Sequence, residues 1–184
     1  MEHLSDKEIL DLFQIESSKN YAFSLLVKKY QKPLYWHIRK IVLSHDDSDD
    51  ILQNSLIKAW KGLEKFREES KLFTWLYKIA TNEALGFLRS KTRIAFVPFT
   101  SVELYLKQTL HADPYFKGDA IQKKLQEAIL ELPDKQRLVF NMRYYDELSY
   151  EQIADILDTS VGALKASYHH AAKKIESKIK ESSR

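Results

Sequence analysis

At 184 residues the chain fits one medium domain or two small ones, and 44% hydrophobic with 30% charged residues excludes wholesale disorder. A net charge of only +3 confines any nucleic-acid affinity to local basic patches. The absence of cysteine excludes a disulfide scaffold, a thiolate metal site and a cysteine nucleophile.

The start, MEHLSDKEILDLF, is acidic and amphipathic and lacks the pattern of a signal peptide. No apolar run approaches membrane-spanning length, so a soluble, cytoplasmic protein without membrane insertion is expected. With 4 Gly, 4 Pro and apolar spacing near 3.6 almost throughout, the expected fold is all-α.

Ile9, Leu12 and Phe13 form a narrow apolar stripe, predicting a short docking helix within residues 1–16. A second helix begins near Asn20 with Phe23, Leu26, Val27 and Tyr30 facing inward. Pro33 should kink or restart it, because its ring removes a backbone donor. Leu34, Ile38, Ile41 and Val42 then continue the buried face. The run SHDDSDD from Ser44 to Asp50 ends this helix and opens the next. Its aspartates do not fit a calcium loop: Ile51 and Ile57 stand where Gly and Glu are needed. They suit a helix N-terminus instead, where the helix dipole stabilises acidic groups.

The helix predicted over residues 49–63 has two unlike faces. Leu52, Leu56, Ala59 and Leu63 should meet the core, whereas Asp50, Gln53, Asn54 and Ile57 cluster opposite. This second face is poor in Lys and Glu and suits a polar protein–protein surface; a solvent face with one stray isoleucine fits the spacing equally. Further on, FREESKLFTWLYKIATNEALGFLRS carries a predicted buried stripe of Leu72, Leu76, Ile79, Ala80 and Phe87. Glu83 falls inside that stripe without an evident reason. The adjacent face holds Lys71, Trp75, Lys78, Asn82 and Arg89. Cations there could track a single strand while the aromatic stacks bases; the same spacing fits an aromatic that completes the core.

Residues 94–120 change character, with Pro98, Pro114 and Gly118 among many apolar side chains. A free tether would be polar, so this linker should lie against its own domains or a partner. Helices resume at Ile121, with Leu125, Ile129 and Leu132 inward. Pro133 then sits near a helix start that leads to Leu138, Val139 and Met142.

From Ser149 to Ile175 the pattern is two short helices joined by a tight turn. Ser149 and Gln152 make a capping box, Asp158 falls at a left-handed closing position, and Thr159 or Ser160 caps the second helix. Val161, Leu164, Tyr168 and Ile175 form its buried stripe, and Lys165, His169, His170 and Lys173 its other face. Charge on one face also occurs in ordinary bundles. Here, however, residues 161–184 hold six Lys or Arg against two Glu, the balance of a phosphate-backbone binder. No phosphate loop, zinc-protease motif or nucleophile elbow is present, and no cofactor or metal is expected.

Taken together, these segments resemble the extracytoplasmic-function (ECF) group of the sigma-70 superfamily over roughly residues 22–175. DDILQNSLIKAW is similar to the family's region 2.2, FREESKLFTWLYKIATNEALGFLR to regions 2.3 and 2.4, and LPDKQRLVFNMRYYDELSYEQIADILDTSVGALKASYHHAAKKI to region 4. The resemblance implies two small helical domains: region 2 within residues 1–93 and a region 4 helix-turn-helix within 121–184, joined by the 94–120 linker. It implies a non-enzymatic initiation factor that binds core RNA polymerase and promoter DNA, with an envelope-linked anti-sigma factor as a further partner.

By the same resemblance, Asp50, Gln53, Asn54 and Ile57 dock on polymerase. Lys58, Phe66, Lys71, Trp75, Lys78, Ile79, Asn82 and Arg89 act on the −10 element, with Phe66, Ile79 and Asn82 lining a pocket for an extruded base. Ser160, Lys165, Ala166, His169, His170 and Lys173 act on the −35 element. The chain departs from the family at Asn54, often acidic, and at Lys71-Leu72-Phe73, often Ser-Phe-Arg. Its recognition helix offers Lys and His in place of the usual arginines, so the family's −35 preference does not carry over. A stand-alone helix-turn-helix repressor would explain the C-terminal half alone, and a helical adaptor would explain only the amphipathicity.

Overall fold

A computed structural model describes residues 4–94, 101–112 and 120–181, and among these every regular element is helical. Helix α1 (Asp6–Phe13) starts at a Ser5/Glu8 capping box and buries Ile9, Leu10 and Phe13; Leu10 takes the inner place expected for Leu12. After one 3-10 turn (Glu16–Ser18), α2 (Lys19–Val42) continues through Pro33 as one helix, so the helix does not restart there. Pro33 is exposed, while Leu26, Tyr30, Leu34 and Ile38 are buried on both sides of it. Each buried side chain of that size contributes about 1.5–3 kcal/mol, and together they outweigh the ~3 kcal/mol proline penalty.

Leu43 ends α2 in a left-handed conformation, and Ser44 caps α3 (His45–Leu63) by accepting from the Asp47 backbone N–H. The aspartate run therefore lies inside the first turns of α3. The core face is rotated from the expected one. Ile51, Ser55, Ala59 and Leu63 are buried, while Leu52 and Leu56 are half-buried. Ser55 is tolerated there because its hydroxyl donates to the Ile51 carbonyl at 2.7 Å.

Helix α4 (Leu72–Ile94) buries Leu72, Leu76, Tyr77, Ala80, Ala84 and Leu88 and packs between α2 and α3. Ile79 and Phe87, expected inside, lie at its half-buried margin. The linker contains an unexpected helix, α5 (Ser101–Ala112), whose Leu106 and Leu110 are buried against neighbours that include α4 and α6. Its proline- and glycine-bearing flanks, Pro98, Pro114 and Gly118, fall outside the described residues.

Four helices follow: α6 (Ala120–Leu130), α7 (Asp134–Tyr144), α8 (Tyr150–Leu157) and α9 (Val161–Glu181). Helix α9 packs on the other three. A small core of Ile129, Leu132, Phe140, Ala171 and Ile175 serves this half alone. The larger core crosses between halves, joining Leu138, Val139, Met142, Ile153 and Leu164 to the residues of α1–α4. Helices α8 and α7 lie directly on α4 and α2.

Candidate nucleic-acid interface

The expected docking residues share one exposed face of α3. Asp50, Gln53, Asn54 and Ile57 all point outward, and Ile57 is 52% exposed. Ile57 thus stands open to solvent among two amides and a carboxylate.

Phe66, in the link after α3, pairs with Trp75 of α4, with ring centroids 5.0 Å apart. Both rings are half-buried, so each has one side against the core and one toward solvent. Trp75 lies against Gly62, where a Cβ would stand 2.9 Å from its Cζ2 atom. The missing side chain makes room for the indole. Lys71, just before α4, and Asn82 and Arg89 on it are exposed, with Lys78 and Ile79 half-buried. Lys58 is exposed on α3 and pairs with Glu83. That pairing accounts for Glu83, which sits at the margin of the buried stripe rather than within it.

In the C-terminal half, the Ser149/Gln152 capping box forms as expected. Asp158 closes α8 with φ 49° and ψ 49°, a left-handed turn that sets the angle to α9. Of the two candidate caps, Ser160 accepts from the Ala163 N–H at 3.3 Å, leaving Thr159 bonded to the Leu157 carbonyl. Leu164, Ala171 and Ile175 anchor α9 inward, and Ser160, Lys165, Ala166, His169, His170 and Lys173 are exposed. The Lys165 ammonium lies 5.8 Å from the Tyr150 ring centroid. The His169 and His170 rings are 6.0 Å apart at an interplanar angle of 63°, presenting separate donors.

The two sets of candidate residues meet at one point. Lys78, from the α4 set, pairs at 2.8 Å with Asp158 in the turn before α9. Deeper in the junction lies a polar cluster that sequence reasoning missed. Asp146, just beyond α7, accepts from His37 Nδ1 at 2.6 Å and pairs with Lys40, both on α2. His37 Nε2 is 2.8 Å from Thr81 Oγ1 on α4. Burial, the largest influence on Asp146, opposes its charge, but the bond and charge of His37 and then Lys40 prevail. The carboxyl is held below the usual aspartate range. The signal in the sequence was His37 itself, three residues past Leu34 and four before Ile41 on the apolar stripe of α2.

Two family descriptions match the chain: Sigma-70 region 2 over residues 26–94, and Sigma-70, region 4 over residues 122–175. The ECF RNA polymerase sigma-E factor of Haemophilus influenzae is 30% identical over 186 residues, covering 97% of either chain. That of Salmonella typhimurium is 30% identical over 188 residues, covering 97% of this chain and 96% of the relative. Two solved structures share the fold. The sigma factor RpoE in complex with the anti-sigma factor NepR from Bartonella quintana has a TM-score of 0.67 at 22% identity, covering 86% of this chain and 96% of that one. CnrH in complex with the cytosolic domain of CnrY has a TM-score of 0.66 at 21% identity, covering 94% and 96%.

Proposed function

Since the chain belongs to the ECF group of the sigma-70 superfamily, as a transcription initiation factor, we propose how its surfaces divide that work. Residues 1–93 form the domain that binds core RNA polymerase and the −10 element, and residues 121–184 the domain that binds the −35 element. Residues 94–120 connect them, with α5 as an ordered part of the connection.

Asp50, Gln53, Asn54 and Ile57 dock on polymerase. Phe66, Ile79 and Asn82 receive an extruded base of the −10 strand, where unstacking one base couples reading to melting. Lys58, Lys71, Trp75, Lys78 and Arg89 hold the surrounding strand by charge and stacking. Ser160, Lys165, Ala166, His169, His170 and Lys173 enter the −35 major groove. The protein performs no chemistry of its own and works in the cytoplasm. An envelope-linked anti-sigma factor is a further partner, in keeping with the complex that the Bartonella quintana sigma factor forms with the anti-sigma factor NepR. Among the described residues no helix is long and apolar enough to cross a membrane.

The observation that carries this reading is the coexistence, on one chain, of the exposed α3 face and the basic face of α9. A repressor has use for the second but not the first. The deciding experiment compares promoter binding with and without core polymerase. Free protein should hold duplex weakly, and polymerase should confer specific binding and initiation. Nanomolar, sequence-specific binding by the isolated chain at physiological salt would favour a repressor instead.

A further inference from the structure

The polar cluster at the junction has no part in reading DNA or docking polymerase, yet it is the most buried ionic group described. The side chains of Asp146 and His37 are 3% and 1% exposed. Thr81 donates its single hydroxyl proton to the Tyr77 carbonyl at 2.7 Å, so toward His37 Nε2 it can only accept. Asp146, an ionised carboxylate, can only accept from Nδ1. His37 is thus held from both sides, Nδ1 by Asp146 and Nε2 by Thr81. Asp146 in turn sits between His37 and Lys40, both supplied by the other half of the molecule. The Asn141 side chain, one turn earlier, donates to the Lys40 carbonyl at 3.2 Å and fixes the approach.

We propose that Asp146 is a latch that holds the molecule closed, and that it must release before both promoter elements can be read. The gating half of this statement rests on the promoter-reading roles assigned above. Elements at −10 and −35 lie roughly 25 base pairs apart, or about 85 Å at ~3.4 Å per pair. In the closed molecule Lys78 and Asp158 touch, and the 21 residues of α9 span only about 30 Å. No placement of the closed form brings α4 and α9 to both elements at once. The exposed Lys78–Asp158 pair holds the halves weakly. The buried cluster is a stronger ionic tie and acts together with the apolar core that crosses the junction, because removing one partner strands an opposite charge away from water.

The chain has no cysteine, so dye pairs can be placed by Lys61→Cys on α3 and Lys174→Cys on α9, both exposed positions. Energy transfer in the free protein should report mainly one short distance. Asp146→Asn, and separately Lys40→Met on the opposite half, should shift the closed–open ratio toward long distances by roughly tenfold or more. Retained helix content by circular dichroism separates opening from unfolding, and Lys40→Met does so should Asp146→Asn not fold. Combining the two variants should add little, since they break one tie. Unlabelled latch variants should also assemble with core polymerase and promoter at several-fold lower concentration, because the competent form is no longer scarce. Folded variants that keep the short distance would overturn the latch. Widened distance with unchanged assembly would overturn its gating role. A parent chain that directs polymerase to no promoter, while the distance still widens, would fault the functional reading and leave the latch standing.

Discussion

Among the described residues four non-glycines are held at positive φ, and they illustrate how much a single position depends on its surroundings. Glu147, itself exposed, has φ 55° in the link between α7 and α8. A left-handed L-residue is strained by about 1–2 kcal/mol. Glycine relieves that strain but gives back about 0.5–1 kcal/mol through its freer unfolded chain. Glu147→Gly should therefore stabilise the protein by about 0.5–1 kcal/mol, read as a higher urea midpoint at unchanged slope. The same change at Leu43, φ 62°, should destabilise. That side chain is 8% exposed, and losing its burial sacrifices about 1.5–3 kcal/mol. A lower midpoint for Glu147→Gly than for the parent would show that the Glu147 side chain holds the link in a way its exposure does not suggest.

Elements divide the work more cleanly than residues do. Asp50→Ala and Gln53→Ala alter an exposed face of α3, so stability should move by only about 0.5 kcal/mol while core polymerase affinity falls. A titration in which both bind like the parent would remove the docking assignment. Helices α4 and α9 should fail differently. Lys165→Ala should weaken closed promoter binding, by about 1–3 kcal/mol where it reads a base edge. Asn82→Ala should spare duplex binding but reduce strand opening, followed through permanganate reactivity of unpaired thymines. A pre-melted −10 bubble should rescue Asn82→Ala in part and Lys165→Ala little. Equal rescue of both would mean they act at one step.

Most of these elements were legible in the sequence, because capping boxes and apolar spacing are local signals. The Ser149/Gln152 box, the left-handed Asp158 and the exposed face of α9 all follow from residues a turn or two apart. What escaped was non-local. Pro33 runs through α2 because neighbours distant in sequence bury both flanks. Ile51 and Ser55 displace Leu52 and Leu56 inward because α2 and α4 set the rotation of α3, and periodicity alone leaves that rotation loose. Within the linker, α5 was hidden by the prolines and glycine flanking it. Among the site residues, exposure of the α3 and α9 faces was readable and core packing was one of two readings open for Trp75, whereas its partners Phe66 and Gly62 were not readable.

At the scale of the whole molecule, closure has a pH dependence whose sign follows from Asp146. Its folded-state pKa lies below the ordinary aspartate value, so the ionised form favours the folded, closed state. That contribution is complete above the unfolded-state pKa and disappears as pH falls through the lowered one. Closure, followed by the same dye pair, should therefore begin to weaken as pH falls through the ordinary aspartate range and lose this contribution only at more acid pH. In Asp146→Asn this acid limb should be absent. An acid limb of equal size in that variant would assign the titration to another carboxylate.

Helix α5 gives the opening of the molecule a thermal signature. Leu106 and Leu110 are buried where α5 lies against α4 and α6, elements from opposite halves. When the halves part, α5 can follow only one of them, and the apolar surface it shared with the other is returned to water. Hydrating that surface raises the heat capacity, whereas docking on polymerase lowers it. Calorimetric binding of polymerase should then show a smaller negative heat-capacity change than the docking area alone would give. The difference measures how much apolar surface α5 releases when the molecule opens.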